Sequence, residues 1–363
     1  MNLRRLAESV ALPLLAIVVA LVAGGLVMAS SGMAPLDGFG AILYGALGTP
    51  SRLGAALNKS IPLILAGLAV ALPLRCGLLN IGGEGQIYMG GLAATLVAIN
   101  VQGLPWAVHM PLVVLAGFAG GALWAAIPGW LRARLKMNEL ITTIMLNYVA
   151  FWIVSYLVHG VMKDPAGGGY PWSVEFPATA SLPILLPAYR VHMGLALAMA
   201  AALIAHFGLW HTVFGLEVRM AGDGPELVRL AGIKVERTLV VAMAIGGGLA
   251  GMAGMAEIAG VQHRLSDFFT SGYGFDAVTV AMVAGANPLG AILAGLFFGL
   301  LRTGADSASR AAGVPAAISS IIQAVALLFL VAGRSPVLVR ALARRQTERK
   351  VHVRDTQPSS VVS

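Results

Sequence analysis

Charge is scarce in this sequence: 11% of its 363 residues are Asp, Glu, Lys or Arg, where an ordinary soluble domain carries roughly 25%. So few charges cannot cover a surface that faces water. With 58% of the residues hydrophobic, a soluble enzyme is excluded and a membrane protein is indicated. Cysteine is almost absent. The lone Cys76 rules out an internal disulfide framework and a cysteine-built metal site, and it reads as a packed thiol.

Other absences narrow the chemistry. No Gly-Lys dipeptide occurs, so the loop that would cradle ATP phosphates is missing. There is no Gly-x-Ser-x-Gly elbow and no His-Glu-x-x-His pair, and the seven histidines are scattered. No cofactor or metal is expected in this chain. If it does work, the energy comes from elsewhere.

What the sequence does contain is long stretches free of formal charge: 9–36, 60–74, 85–131, 140–162, 191–216, 238–256, 277–301 and 311–333. A helical span needs about 20 apolar residues. The stretch 85–131 is long enough for two, parted around Asn100 to Pro111, whereas 60–74 is short for one. The expected fold is all-α and polytopic, with about ten transmembrane segments and short broken or re-entrant helices. Arg4 and Arg5 precede the first apolar run as in a signal peptide, but the run's length favours a retained span.

The net charge of +8 invites a nucleic-acid reading, yet basic residues beside apolar spans report orientation in the bilayer. With ten spans and both termini cytoplasmic, 17 of the 24 basic residues fall on the cytoplasmic side and 7 outside. That asymmetry supports the orientation and removes the need for a nucleic-acid partner. The external side then carries a Gly- and Pro-rich loop, 160–190, whose Trp172 and Tyr189 suit the headgroup level.

Two regions interrupt the apolar pattern. One is Arg75-Cys-Gly-Leu-Leu-Asn-Ile-Gly-Gly-Glu-Gly-Gln86; the other runs from Ser271-Gly-Tyr-Gly-Phe-Asp276 to Gly285-Ala-Asn-Pro-Leu-Gly290. Irregular backbone at membrane depth must be covered by protein or line a wet cavity, and such interruptions point to a translocation pathway. Close helix packing is the alternative for the individual glycines. Glu84 is followed by 47 residues without formal charge, so it must neutralise, pair or meet water. Asn80, Gln86, Asn147 and Asn287 could offer neutral hydrogen bonds to a polar solute or join helices together. With Glu84, Phe275 and Asp276 they are the pathway candidates.

A third segment lies between spans. In Gly222-Asp-Gly-Pro-Glu-Leu-Val-Arg-Leu-Ala-Gly-Ile233, Pro225 suits the first helical position, Glu226 favours the positive end of the dipole, and Gly232 can close the helix left-handed. The pattern predicts about two turns of helix on the cytoplasmic face. Leu227, Val228, Leu230 and Ile233 would give it an apolar surface, which could rest on the bilayer or dock into a soluble protein.

At these residues the sequence resembles a known family. Asn80-Ile-Gly-Gly-Glu-Gly-Gln86, Asn138-Glu-Leu-Ile-Thr-Thr-Ile-Met-Leu-Asn-Tyr148, the 222–233 loop, and Gly272-Tyr-Gly-Phe-Asp276 with Asn287-Pro-Leu-Gly290 are similar to the permeases of bacterial ABC importers for simple sugars, nucleosides and branched-chain amino acids. The first two motifs look most like the nucleoside branch. The likeness spans roughly 59–333. The expected division is a first helix and external connection (1–59), a permease core (60–333) with a coupling loop within it (212–237), and a tail (334–363) whose polar, basic composition reads as flexible cytoplasmic chain.

For partners, the resemblance implies a second homologous permease, a cytoplasmic ATPase with two nucleotide-binding halves that holds ATP and Mg, and an external basic-membrane-protein-type lipoprotein that captures the solute. It places the chain in the bacterial inner membrane. Gly222, Asp223, Gly224, Pro225, Glu226, Leu227, Val228, Arg229, Gly232 and Ile233 would form the coupling helix that receives the ATPase's motion. Two departures stand out: Gly224 where the family typically has Asn, and Leu227-Val228 where it commonly has Ala-Ala. The alternatives are a ribose-like sugar or branched-chain amino acid permease, or an ion-coupled secondary transporter using Glu84 or Asp276.

Overall fold

The computed structural model describes residues 3–224, 228, 232–313 and 317–334. It is a helical assembly, in chain order α1 Leu3–Ser30, α2 Pro35–Leu47, α3 Pro50–Arg75, α4 Gly83–Asn100, α5 Trp106–Leu135 and α6 Glu139–His159, then α7 Gly194–His211, α8 Val213–Asp223, α9 Val235–Glu257, α10 Tyr273–Val283, α11 Pro288–Ala312 and α12 Ile318–Arg334. Among the described residues six helices are long and apolar enough to cross a bilayer, or seven if the bent pair α1–α2 counts as one span. The expected ten would draw also on shorter pieces. One is α4, whose 18 residues include Glu84, Gln86 and Asn100; another is α10, with 11 residues.

The charge-free stretch 85–131 does divide into α4 and α5, because Gly103 takes φ +78° and Pro105 follows. The stretch 60–74 is only part of α3, whose 26 residues begin at Pro50 behind a Thr49 cap. Two charges are absorbed on the way. Arg52 donates to the Tyr44 carbonyl at 3.2 Å, and Lys59 pairs with Asp306 of α11. The connection before α3 is itself helical: α2 turns 114° from α1.

One departure from all-α is a small hairpin in the 160–193 connection, where β1 Ile184–Leu186 pairs antiparallel with β2 Val191–His192. Trp172 in the same connection bridges to Ser266, and Lys163 to Ser173. Arg264 holds this layer by ion pairs to Asp164 and Glu175 at 3.4 and 2.8 Å.

The centre is built by close backbone approach. A Cβ on Gly251 of α9 would strike the Gly117 carbonyl of α5, and one on Gly90 of α4 would strike Gly251 itself. Three helices therefore meet with no side chain between them, the small-residue packing that substitutes for a hydrophobic drive in lipid. The outward faces of α5, α6 and α7 stay apolar: Leu123, Trp152, Tyr156 and Ile204 are all exposed. In water that would be a large unpartnered surface; in hydrocarbon it costs nothing.

Candidate translocation pathway and coupling surface

The two interrupted regions are one structure. After Arg75 the chain leaves α3 through Gly77 at φ +79° and re-enters helix at Gly83. The polar side chains of this break are spent on holding it. Asn80 and Gln86 exchange amide hydrogen bonds, both 2.9 Å, and Asn80 Oδ1 also accepts from the Gly82 N–H at 3.1 Å. From α6, Asn147 accepts from the Gly85 N–H at 2.8 Å and donates to the Ile81 carbonyl at 3.0 Å. All three amides are buried, and backbone groups that lipid could not serve are satisfied. Asn287 caps α11, accepting from the Leu289 N–H at 3.0 Å.

The second interrupted region packs on the first through α10. Glu84 Oε2 accepts from the Gly274 N–H at 2.7 Å, and Oε1 accepts from the Thr270 hydroxyl. At the other end of α10, Arg75 Nε donates to the Ala286 carbonyl at 2.8 Å and Nη2 to the Gly285 carbonyl at 2.9 Å. A carboxylate thus sits at the helix N-terminus and a guanidinium at its C-terminus, the arrangement the helix dipole favours. Both come from one short stretch of chain. Gly83 and Gly274 also meet backbone to backbone, so neither accepts a side chain without displacement.

Phe275 and Asp276 stand on the first turn of α10. Phe275 is 49% exposed. Asp276 pairs with Arg302 of α11 at 2.6 Å, and Arg302 also donates to the Ser271 carbonyl and lies 4.9 Å from the Tyr273 ring. Glu257 ends α9 where the helix widens into a π turn, Ile258–Gln262, and it accepts from Gln262 Nε2 at 3.2 Å. Such π turns are common where a helix serves a function. Sequence reasoning missed Arg302, Thr270 and Glu257 as site members. Their spacing from Glu84 and Asp276 carries no local signal, although a charge inside an apolar run is itself a flag.

The 222–233 loop is reached through α8, capped by Thr212 at the Gly215 N–H, 3.1 Å. Gly222 and Asp223 end α8 exposed, Gly224 is half-buried, and Gly232 takes φ +79°. The left-handed closure expected of Gly232 is present. Val228 is helical but buried, in a cluster with Cys76, Val218, Ala221 and Val235. Its side chain faces the protein, not a partner, a correction to its expected part in an exposed apolar surface. Ile233 packs against the same cluster. Pro225, Glu226, Leu227 and Arg229 lie outside the described residues, as does Leu230. Gly222 touches the Arg75 carbonyl so closely that a Cβ would collide with it. The loop, Arg75 and the end of α10 are therefore in contiguous contact.

Comparison with known proteins fits this geometry. Residues 52–331 match the family described as the branched-chain amino acid transport system permease component. A glucose ABC transporter permease of Haloferax volcanii is 40% identical over 329 residues, 88% of this chain and 86% of that one. A guanosine ABC transporter permease of Bacillus subtilis is 35% identical over 322 residues, 88% and 92% of the two chains. A nucleoside ABC transporter permease of Lactococcus lactis is 32% identical over 331 residues, 89% and 91%. The latter two organisms each have a second permease of the same description that matches, at 26% identity over 259 residues and 25% over 294. No solved structure matches. With its helical, lipid-compatible exterior and a match over most of its length, the chain belongs to the permease family of ABC transport systems.

Proposed function

We propose that this chain is one of two homologous permease subunits of an ATP-driven importer that moves a nucleoside inward across the cytoplasmic membrane. The paired permeases of Bacillus subtilis and Lactococcus lactis support both the second subunit and the nucleoside. A cytoplasmic ATPase with two nucleotide-binding halves, which holds ATP and Mg, docks at the 222–233 loop, and an external lipoprotein delivers the solute. Both termini are cytoplasmic, and α4, α10 and α12 complete about ten membrane segments.

The observation that carries this reading is the contact chain from Gly222 through Arg75 to the C-terminal end of α10. A displacement of the coupling loop pushes on the Arg75 backbone, and the Arg75 guanidinium passes it to the short helix that bears Phe275 and Asp276. The amides of Asn80, Gln86 and Asn147 keep the break rigid while α10 shifts, and Asn287 caps α11. Because Asp276 is neutralised by Arg302, the route past Phe275 suits an uncharged solute.

A second reading is favoured by the 40% identity to a glucose permease: a simple sugar in place of the nucleoside. The two solutes share a hydroxyl-rich ring. Uptake of labelled guanosine and glucose by cells with and without the cognate ATPase separates the possibilities. Guanosine uptake that needs the ATPase is expected; glucose uptake selects the second reading, and uptake that persists on an ion gradient without the ATPase overturns both.

A further inference from the structure

Where α5 ends and α9 begins, the two helices part around a cavity of 780 Å³. Arg134, Lys136, Lys234, Arg237 and Glu236 line it together with Trp130, Ala133, Val240 and Val241. Val240 lies six residues beyond Lys234 on α9, about 9 Å deeper along the helix axis. All four cations are exposed, and among the described residues no carboxylate pairs with them. Glu236, the acid in the wall, has its own partner. The neighbouring Arg132 is taken by Glu139 at 3.2 Å.

The positive end of α9 and the negative end of α5 both border the cavity and offset one another. Its sign is therefore set by the side chains. Four cations against one engaged acid call for an anion. The apolar part of the wall says which kind. Trp130 is 51% exposed at the end of a helix whose surface is mostly unburied by the rest of the chain, the position of an interfacial indole. A soluble anion would gain nothing from Val240 and Trp130. A molecule with a charged head and an apolar continuation meets both parts at once.

We propose that this cavity binds an anionic phospholipid of the cytoplasmic leaflet, its phosphate held among Arg134, Lys136, Lys234 and Arg237 and its acyl chains starting along Trp130 and Val240. The site is separate from the pathway at α10 and does not depend on which solute is carried. The lipid would sit between the helix that leads out of the coupling loop, α9, and the glycine-packed α5, so it adds to the grip of these two helices.

The test uses the full chain in nanodiscs of phosphatidylcholine with phosphatidylglycerol, with retained lipid read by native mass spectrometry. Selective retention of phosphatidylglycerol is expected. At about fivefold per basic residue, Lys234→Gln with Arg237→Gln weakens it about 25-fold. Lys163→Gln with Arg190→Gln, the same charge removed elsewhere, leaves retention unchanged. Lys234→Arg with Arg237→Lys restores binding, which separates a lost charge from a lost fold. Equal retention of phosphatidylcholine and phosphatidylglycerol overturns the proposal. So does displacement of the lipid by millimolar inorganic phosphate, which would mark a site for soluble anions. So does a double variant that keeps its lipid but no longer assembles with the ATPase, which would mark the rim as a protein contact.

Discussion

The Glu84 carboxylate accepts a hydrogen bond from the backbone N–H of Gly274 at 2.7 Å, across 190 residues of sequence. Together with the Thr270 hydroxyl, it anchors the start of a helix too short to cross a bilayer. Glu84→Ala leaves two buried donors without an acceptor and removes the negative charge from the helix N-terminus. A loss of about 2 kcal/mol is expected, read as a lower melting temperature in detergent. Glu84→Gln keeps an acceptor oxygen and should lose less. Equal losses for the two variants would show that the hydrogen bonds to Oε1 and Oε2 do not stabilise α10.

Arg302 and Asp276 join α11 to α10, and neither is well exposed. Removing one partner strands the other charge, at a cost of about 3 kcal/mol. Arg302→Ala should therefore be more damaging than Arg302→Ala combined with Asp276→Asn. The comparison is a double-mutant cycle on thermal stability and ATP-dependent uptake. If the double variant is as damaged as the sum of the singles, the pair does not act as a unit.

Gly251 is pressed between Gly117 and Gly121 of α5 and Gly90 of α4. Gly251→Val forces three backbones apart and should cost at least about 3 kcal/mol. Gly208, beside which a Cβ meets nothing within 4 Å, is the matched control: Gly208→Ala should change stability little. Fluorescence-detected size-exclusion profiles after heating distinguish the two.

His192 lies in the hairpin between α6 and α7, outside the membrane-spanning helices. Burial, with His263 nearby, lowers its pKa to about 4, and its Nδ1 accepts from the Gly194 N–H at 3.2 Å, which requires the neutral ring. In the unfolded chain the imidazole titrates near 6.5. The stabilisation is thus complete above pH 6.5 and is lost as pH falls toward 4, because the unfolded state binds the extra proton first. A melting temperature that drops between pH 7 and pH 4.5, and a flatter profile for His192→Asn, are expected.

Much of this architecture was legible in the sequence, and its limits are instructive. Charge-free stretches located most of the long apolar helices, and Gly103 with Pro105 marked the break between α4 and α5. Gly232 was legible as a left-handed residue in the 222–233 loop because that is a local matter. The roles of the polar residues at the break were not legible. Asn80 and Gln86 bond each other, and Asn147 reaches back to Ile81 and Gly85, so amides that could have met a solute are used on backbone instead. Arg75 lies 210 residues from the carbonyl it grips at Gly285, beyond any local pattern. In helices apolar on every side, such as α5 and α6, no periodicity shows which face is inward. Val228 is buried by a cluster that draws on residues as distant as Cys76, which no local pattern shows. The three-residue strand β1 is too short for alternation to register.

The grip of Arg75 and Glu84 on the two ends of α10 also fixes a length. Adding or deleting one residue within α10 would turn everything beyond it by about 100° and shift it by about 1.5 Å, and one of the two ends would slip from its partner. The same holds for the run between Arg75 and Glu84, whose Asn80, Ile81 and Gly85 are tied in register to Gln86 and Asn147. These two segments can vary by substitution but not by insertion. Changes of length belong in a connection that faces solvent, such as the one between α4 and α5, where no helix is measured against another.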